Sequence, residues 1–292
     1  MMKQQQNSGQ FYILAATLLW GTTGTAQAFA PEGASSLAVG AVRLLLGGVA
    51  LLGIGVVRGS FQREQRWLQW PTLVAAASMA AYQPAFFAGV ARTGVAVGTM
   101  VTIGSAPVFA GILGWVFSGK RPSRRWLLAT TLAIVGCGFL VLSKGRLAVD
   151  WVGFGLSLGA GVAYAVSALA SKELLIQYAP DAVTAVIFGL AALLLSPLLF
   201  FVDLSWLTQP SGIGVALHLG LMATALAYIL YMRGLVTVGV ETAVTLALGE
   251  PLTATLLGLF LLGEQLTGLS LVGVGLLFAG LSLITFNKTY KK

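Results

Sequence analysis

Ten runs of apolar residues, each about as long as a bilayer is thick, follow one another along this chain of 292 residues. A helix rises about 1.5 Å per residue, so roughly 20 apolar residues carry it across the hydrocarbon core. The runs cover approximately 11–30, 35–58, 70–90, 94–118, 126–143, 150–172, 181–202, 212–233, 239–262 and 266–286. Between them lie turn and charge signals such as Pro31-Glu32-Gly33, Arg92-Thr93-Gly94, Gly119-Lys120-Arg121-Pro122 and Gln209-Pro210-Ser211-Gly212. Connections this short make successive helices antiparallel. Charged residues are 9% of the chain, against roughly 25% in a soluble domain, and cannot cover soluble surfaces. A cytosolic enzyme, a nucleic-acid binder and a disordered scaffold are thereby excluded. The expected fold is an all-α polytopic membrane protein with ten transmembrane helices.

The net charge of +8 would suggest nucleic acid in a soluble protein. Here nearly every basic residue lies between apolar runs and serves topology. With the N-terminus in the cytoplasm, the inner segments hold Lys3, Arg58, Arg63, Arg66, Lys120, Arg121, Arg124, Arg125, Lys172, Arg233, Lys288, Lys291 and Lys292. The outer segments hold only Arg92, Lys144 and Arg146. The positive-inside rule then places both termini in the cytoplasm of a plasma (inner) membrane protein, which requires an even number of spans.

The chain also repeats itself. Leu14-Ala15-Ala16 and Trp20 align with Leu158-Gly159-Ala160 and Tyr164 at a spacing of 144 residues. At the same spacing Ser105-Ala106-Pro107 precedes Gly249-Glu250-Pro251, and Gly119-Lys120-Arg121 precedes Gly263-Glu264-Gln265. The first apolar run and Ala26-Gln27-Ala28 imitate a secretory leader, but a leader has no reason to recur in mid-chain. Two halves are therefore expected, about 1–147 and 148–292, each of five helices. An odd number of spans inserts the second half upside down. Such inverted repeats are common among secondary transporters, with binding near the midplane between the repeats.

Ten spans in two halves, Trp20-Gly21 in the first helix, Pro107 and Pro251 at matching positions, and Gly-Glu-Gln closing the ninth span resemble the drug/metabolite transporter superfamily, specifically its EamA family. The resemblance runs over nearly the whole chain. It implies a ten-helix inner-membrane carrier that exports amino acids, aromatic ones among them, related metabolites or amphiphilic cations. It also implies a cavity walled by spans one, three, four, six, eight and nine. The first half departs from the pattern, with Ala106 where the second has Glu250 and Lys120 where it has Glu264.

Polar and aromatic groups in mid-span are costly unless they face protein or a water-filled cavity. Trp20, Thr23, Gly24 and Gln27 share one face of the first span; Tyr164, Ser167 and Ser171 do so on its repeat partner. Tyr82 and Gln83 precede Pro84 in the third span, Ser105 precedes Pro107 in the fourth, and Thr224, Tyr228 and Tyr231 form a stripe in the eighth. As cavity walls these groups suit an amphipathic molecule; interhelical packing is the competing role, and Tyr231 and Ser171 lie near span ends. Pro107 and Pro251 each remove a backbone donor and are expected to kink spans four and nine as paired hinges. Arg43 and Glu250 are the ionisable groups placed deep in the membrane, at comparable depths, as a candidate buried ion pair or with Glu250 sensing substrate charge or a coupling proton.

Nothing points to catalysis. Gly155-Leu156-Ser157-Leu158-Gly159 lies within an apolar helix, not at a nucleophile elbow, and one His (His218) with one Cys (Cys137) cannot build a metal site. No phosphate-binding loop, cofactor or metal is expected. The expected partners are the lipid bilayer and a small-molecule substrate, with no nucleic acid, and the expected carrier is monomer-sized. The reading is a secondary transporter exporting neutral or aromatic amino acids or related amphiphiles by alternating access. A facilitative, channel-like permease is the alternative.

Overall fold

The computed structural model describes residues 2–62, 64–119, 121–143, 150–261, 265 and 267–286. Arg63, Lys120, Lys144, Arg146, Gly263, Glu264, Lys288, Lys291 and Lys292 lie outside the described residues, so their expected roles do too.

Every described element is helical: α1 (Met2–Ala28), α2 (Ser36–Val57), α3 (Trp70–Thr93), α4 (Val95–Ser118), α5 (Arg124–Leu142), α6 (Trp151–Leu174), α7 (Pro180–Leu195), α8 (Pro210–Leu217), α9 (Ala227–Thr237), α10 (Val240–Leu246), α11 (Gly249–Leu261) and α12 (Gly268–Thr285). Two 3-10 turns, Ser196–Phe200 and Ser205–Thr208, follow α7. The boundaries have local causes. Side chains of Ser35, Ser123, Asp150 and Thr267 accept from the backbone N–H three residues on, satisfying donors that the first helical turn leaves free. Pro180 and Pro210 open α7 and α8, where a missing N–H costs nothing. Gly94 and Gly119 take positive φ (83° and 69°) at the ends of α3 and α4, a conformation that side chains resist.

Among the described residues nine helical rods are long and apolar enough to cross a membrane. α1 is long enough at 27 residues, but Thr22, Thr23, Thr25 and Gln27 keep it below that apolarity. Two expected spans depart from simple α-helices. The eighth is a continuous rod from Pro210 to Thr237 whose middle, His218–Leu226, is a π-helix. The ninth is broken at Ala247–Leu248, between α10 and α11.

Helix association in lipid relies on close van der Waals contact, which favours small residues at the interfaces. At the α5–α12 contact a Cβ on Gly136 would lie 2.7 Å from the Gly273 carbonyl, and one on Gly273 would lie 2.8 Å from that of Gly136. The buried residues are correspondingly rich in alanine, while Val57, Phe117, Phe200 and Phe278 point outward, as lipid permits. α3 and α4 pack on α6, α2 on α7 and the π-helical stretch, and α1 on α9 and α11.

The ends of these rods differ. Gln10 near the start of α1 donates to the Ile284 carbonyl near the end of α12, so both lie at one end of the bundle. There Asp181 receives Arg58 at 2.6 Å and Arg233 at 3.0 Å, joining α2, α7 and α9. Lys172 donates to the Leu235, Val236 and Val238 carbonyls at the end of α9, and Arg125 to those of Leu283 and Phe286. Helix carbonyl ends attract cations, so these contacts fasten that end. At the opposite end Arg92 meets Asp150 at 3.5 Å.

Candidate functional site

Trp20, in mid-α1, meets three tyrosines from two other helices. Its ring centroid is 5.0 Å from Tyr228, 5.4 Å from Tyr231 and 6.4 Å from Tyr164. Tyr82 joins through Tyr164 at 6.0 Å and carries Phe86 stacked on it at 5.7 Å. Offset and edge-on ring pairs at such distances are attractive beyond the area that they bury. One aromatic knot thus ties α1, α3, α6 and α9 at the centre. Tyr231, expected near a span end, is 1% exposed and part of this knot, because the rod continues to Thr237.

A cavity of about 440 Å³ stands on the knot. Its walls are the last part of α1 to Ala28, Phe86 to Val90 of α3, Thr99 to Ile103 of α4, Cys137 to Val141 of α5 and α11 from Glu250 to Gly258. These segments belong to the end of the bundle opposite Gln10 and Ile284. The volume falls in the range of small-molecule sites, which are mostly apolar with a few placed polar groups. Trp20, Thr23, Phe86, Ile103 and Glu250 also line a smaller recess of about 40 Å³ at its floor. The recess adds Arg43, Tyr82, Thr102, Tyr164, Tyr228 and Ala247.

Arg43, on α2, is 8% exposed; its Nε donates to Thr224 Oγ1 at 3.2 Å and its Nη2 to the Ala223 carbonyl at 3.5 Å. Both acceptors belong to the π-helical stretch, and Thr224 Oγ1 itself donates to the Leu219 carbonyl five residues back. π-Helical segments recur at functional sites. Glu250 stands in the first turn of α11, just past the break. Both charges border the recess, but among the described residues no ion pair joins them and no hydrogen bond reaches the Glu250 carboxylate. The candidate direct pair is not formed among the described residues: Thr224 and Ala223 hold the guanidinium against the π-helical stretch.

The remaining candidates divide. Gln27 lies toward the cavity mouth, with Trp20 and Tyr82 at its floor and Pro251 beside Glu250. Ser105 and Ser167 line neither space. Ser105 donates to the Thr102 carbonyl and packs on Gly161 of α6; Ser167 donates to the Ala75 carbonyl of α3. Gln83 is 1% exposed and its amide has no hydrogen-bond partner. The two prolines are unlike: Pro107 lies inside the uninterrupted α4, whereas Pro251 belongs to the opening turn of α11, just after a two-residue turn in which Leu248 and Glu250 bond three residues back. Phe86, Thr102 and Ile103 were not singled out from sequence. Phe86, one turn after Tyr82 on the same face, carried a readable signal; Thr102 and Ile103 carried none.

Long apolar rods around a cavity make this a multi-pass membrane protein. More narrowly, the chain belongs to the EamA-like transporter family, whose model matches residues 7–142 and again residues 151–286, and with it to the drug/metabolite transporter superfamily. It is 45% identical over 280 residues to the uncharacterized transporter YwfM of Bacillus subtilis, covering 96% of this chain and 94% of the relative. It is 30% identical over 246 residues to the threonine/homoserine exporter RhtA of Escherichia coli K12, covering 82% and 79%. A protein of known crystal structure superposes with TM-score 0.81 at 18% identity over 94% of this chain and 96% of that one, a likeness of fold alone.

Proposed function

We propose that the chain is a secondary carrier that exports neutral amino acids, aromatic ones included, by alternating access. The observation that carries this reading is the cavity, broad at one end of the bundle and ending on the aromatic knot at Trp20, with one cation and one anion at its floor. A channel-like permease needs a continuous path, and the packed rings at the cavity floor favour the carrier over it.

In this reading α1 completes the ten spans, with Thr23, Thr25 and Gln27 facing the cavity instead of lipid and Thr22 meeting His218. Residues 1–147 and 148–292 are inverted five-helix repeats that rock about the cavity, with the break before Glu250 and Pro251 as pivot. Both termini face the cytoplasm of the plasma membrane; among the described residues Arg58, Arg125, Lys172 and Arg233 gather at that end and Arg92 at the other, as the positive-inside rule requires. The cavity then opens outward. The threonine/homoserine exporter among the relatives supports the amino-acid class. Efflux of labelled L-threonine, L-leucine and L-phenylalanine from proteoliposomes tests the proposal. Saturable efflux of at least one is expected, and no protein-dependent flux of any of them overturns it.

A further inference from the structure

The recess at the cavity floor carries one basic and one acidic side chain, Arg43 and Glu250, that do not meet. Arg43 uses Nε and Nη2 on Thr224 and Ala223, which leaves its Nη1 without an acceptor among the described residues. The Glu250 carboxylate borders the same space of about 40 Å³, also without a hydrogen-bond partner there. Such charges are costly in a low-dielectric interior unless something matches both.

From this we infer that the recess is a head-group site for a zwitterion: Arg43 Nη1 donates to the ligand's α-carboxylate, and Glu250 accepts from its α-ammonium group. A cation alone would lie beside Arg43 in a space too small to avoid it, and an anion alone beside Glu250. A zwitterion answers both charges at once. The positive end of the half-helix α11 is already faced by Glu250 in its own first turn, so the ligand's anion is received at Arg43. The wider cavity above is lined by Phe86, Phe87, Val90, Met100, Ile103 and Leu140 and takes an uncharged side chain. The site therefore reads the two charges of an amino acid strictly and its side chain loosely.

This inference rests on the export reading above, and ligand chemistry separates the two. In counterflow with the unmodified protein, unlabelled amino acids compete with whichever label of L-threonine, L-leucine or L-phenylalanine is carried. Their methyl esters, lacking the carboxylate, and their N-acetyl forms, lacking the ammonium, are expected to compete at least about tenfold more weakly, because each strands one buried charge. E250Q is expected to bring the N-acetyl form to within about twofold of the free amino acid while the ester stays poor; R43Q does the converse. A merely structural role would weaken all ligands by one factor, and that result overturns the assignment. So does equal competition by esters or N-acetyl forms in the unmodified protein, which decides the matter even where a variant fails to fold and leaves the export reading standing. If no amino acid moves or competes, the export reading falls and the head-group site with it.

Discussion

Trp20 contributes in two ways that a substitution can separate. Its ring holds three tyrosines, and its Nε1 is buried with no hydrogen-bond partner. W20A should lower unfolding stability by about 3–5 kcal/mol, the usual cost of deleting a buried aromatic side chain. W20F keeps the ring contacts and removes the orphan N–H, so it should cost clearly less in a thermal melt; an equal loss would show that the ring is not what matters. At this scale the sequence was informative where chemistry is conspicuous. A tryptophan, tyrosines, an arginine and a glutamate in apolar runs announce themselves, and Trp20, Arg43, Tyr82, Tyr164, Tyr228 and Glu250 do meet at one recess. Ser105, Ser167 and Gln83 were equally conspicuous, yet line neither cavity space. Polarity marks a residue that avoids lipid without saying which neighbour it avoids lipid with.

Among the elements, α1 and α11 press together where a Cβ would not fit. One added at Gly21 would lie 2.5 Å from Thr253 Cβ and 3.0 Å from the Glu250 carbonyl, whereas one at Gly24 meets nothing within 4 Å. G21A should therefore destabilise by about 1–3 kcal/mol through overpacking, and G24A should leave the melting temperature unchanged or raise it. Equal melts for the two would refute the close contact. Asp150 offers a test at the start of α6. The Gly153 N–H above all, and then Arg92, hold its carboxyl below the ordinary carboxylate range. With the folded value depressed, the stability it contributes is present above the unfolded value and is lost as pH falls through the folded one. D150N, which can still accept from Gly153, should show a flatter loss of melting temperature on the acid side than the unmodified protein. The lengths of the rods were legible because hydrophobicity is periodic with the bilayer. The π-helical stretch was not, since it depends on how neighbouring helices hold the backbone, and the break at Ala247–Leu248 was legible only in part: Pro251 follows it closely, yet Pro107 at the matching position leaves α4 uninterrupted.

At the scale of the whole molecule, Arg58 and Arg233 on Asp181 fasten one end of the bundle and the cavity opens at the other. In a C137S background, which removes the one native thiol, Q27C at the mouth should be modified by a membrane-impermeant maleimide from outside intact cells. Modification only from the cytoplasmic side would reverse the orientation. The central claim, that one cavity is reached from one side at a time, is tested most directly by counterflow. Proteoliposomes loaded with unlabelled amino acid should take up the same labelled amino acid faster than empty ones and show saturation. Flux that ignores the opposite side, rises linearly with concentration or appears as single-channel current would contradict the carrier.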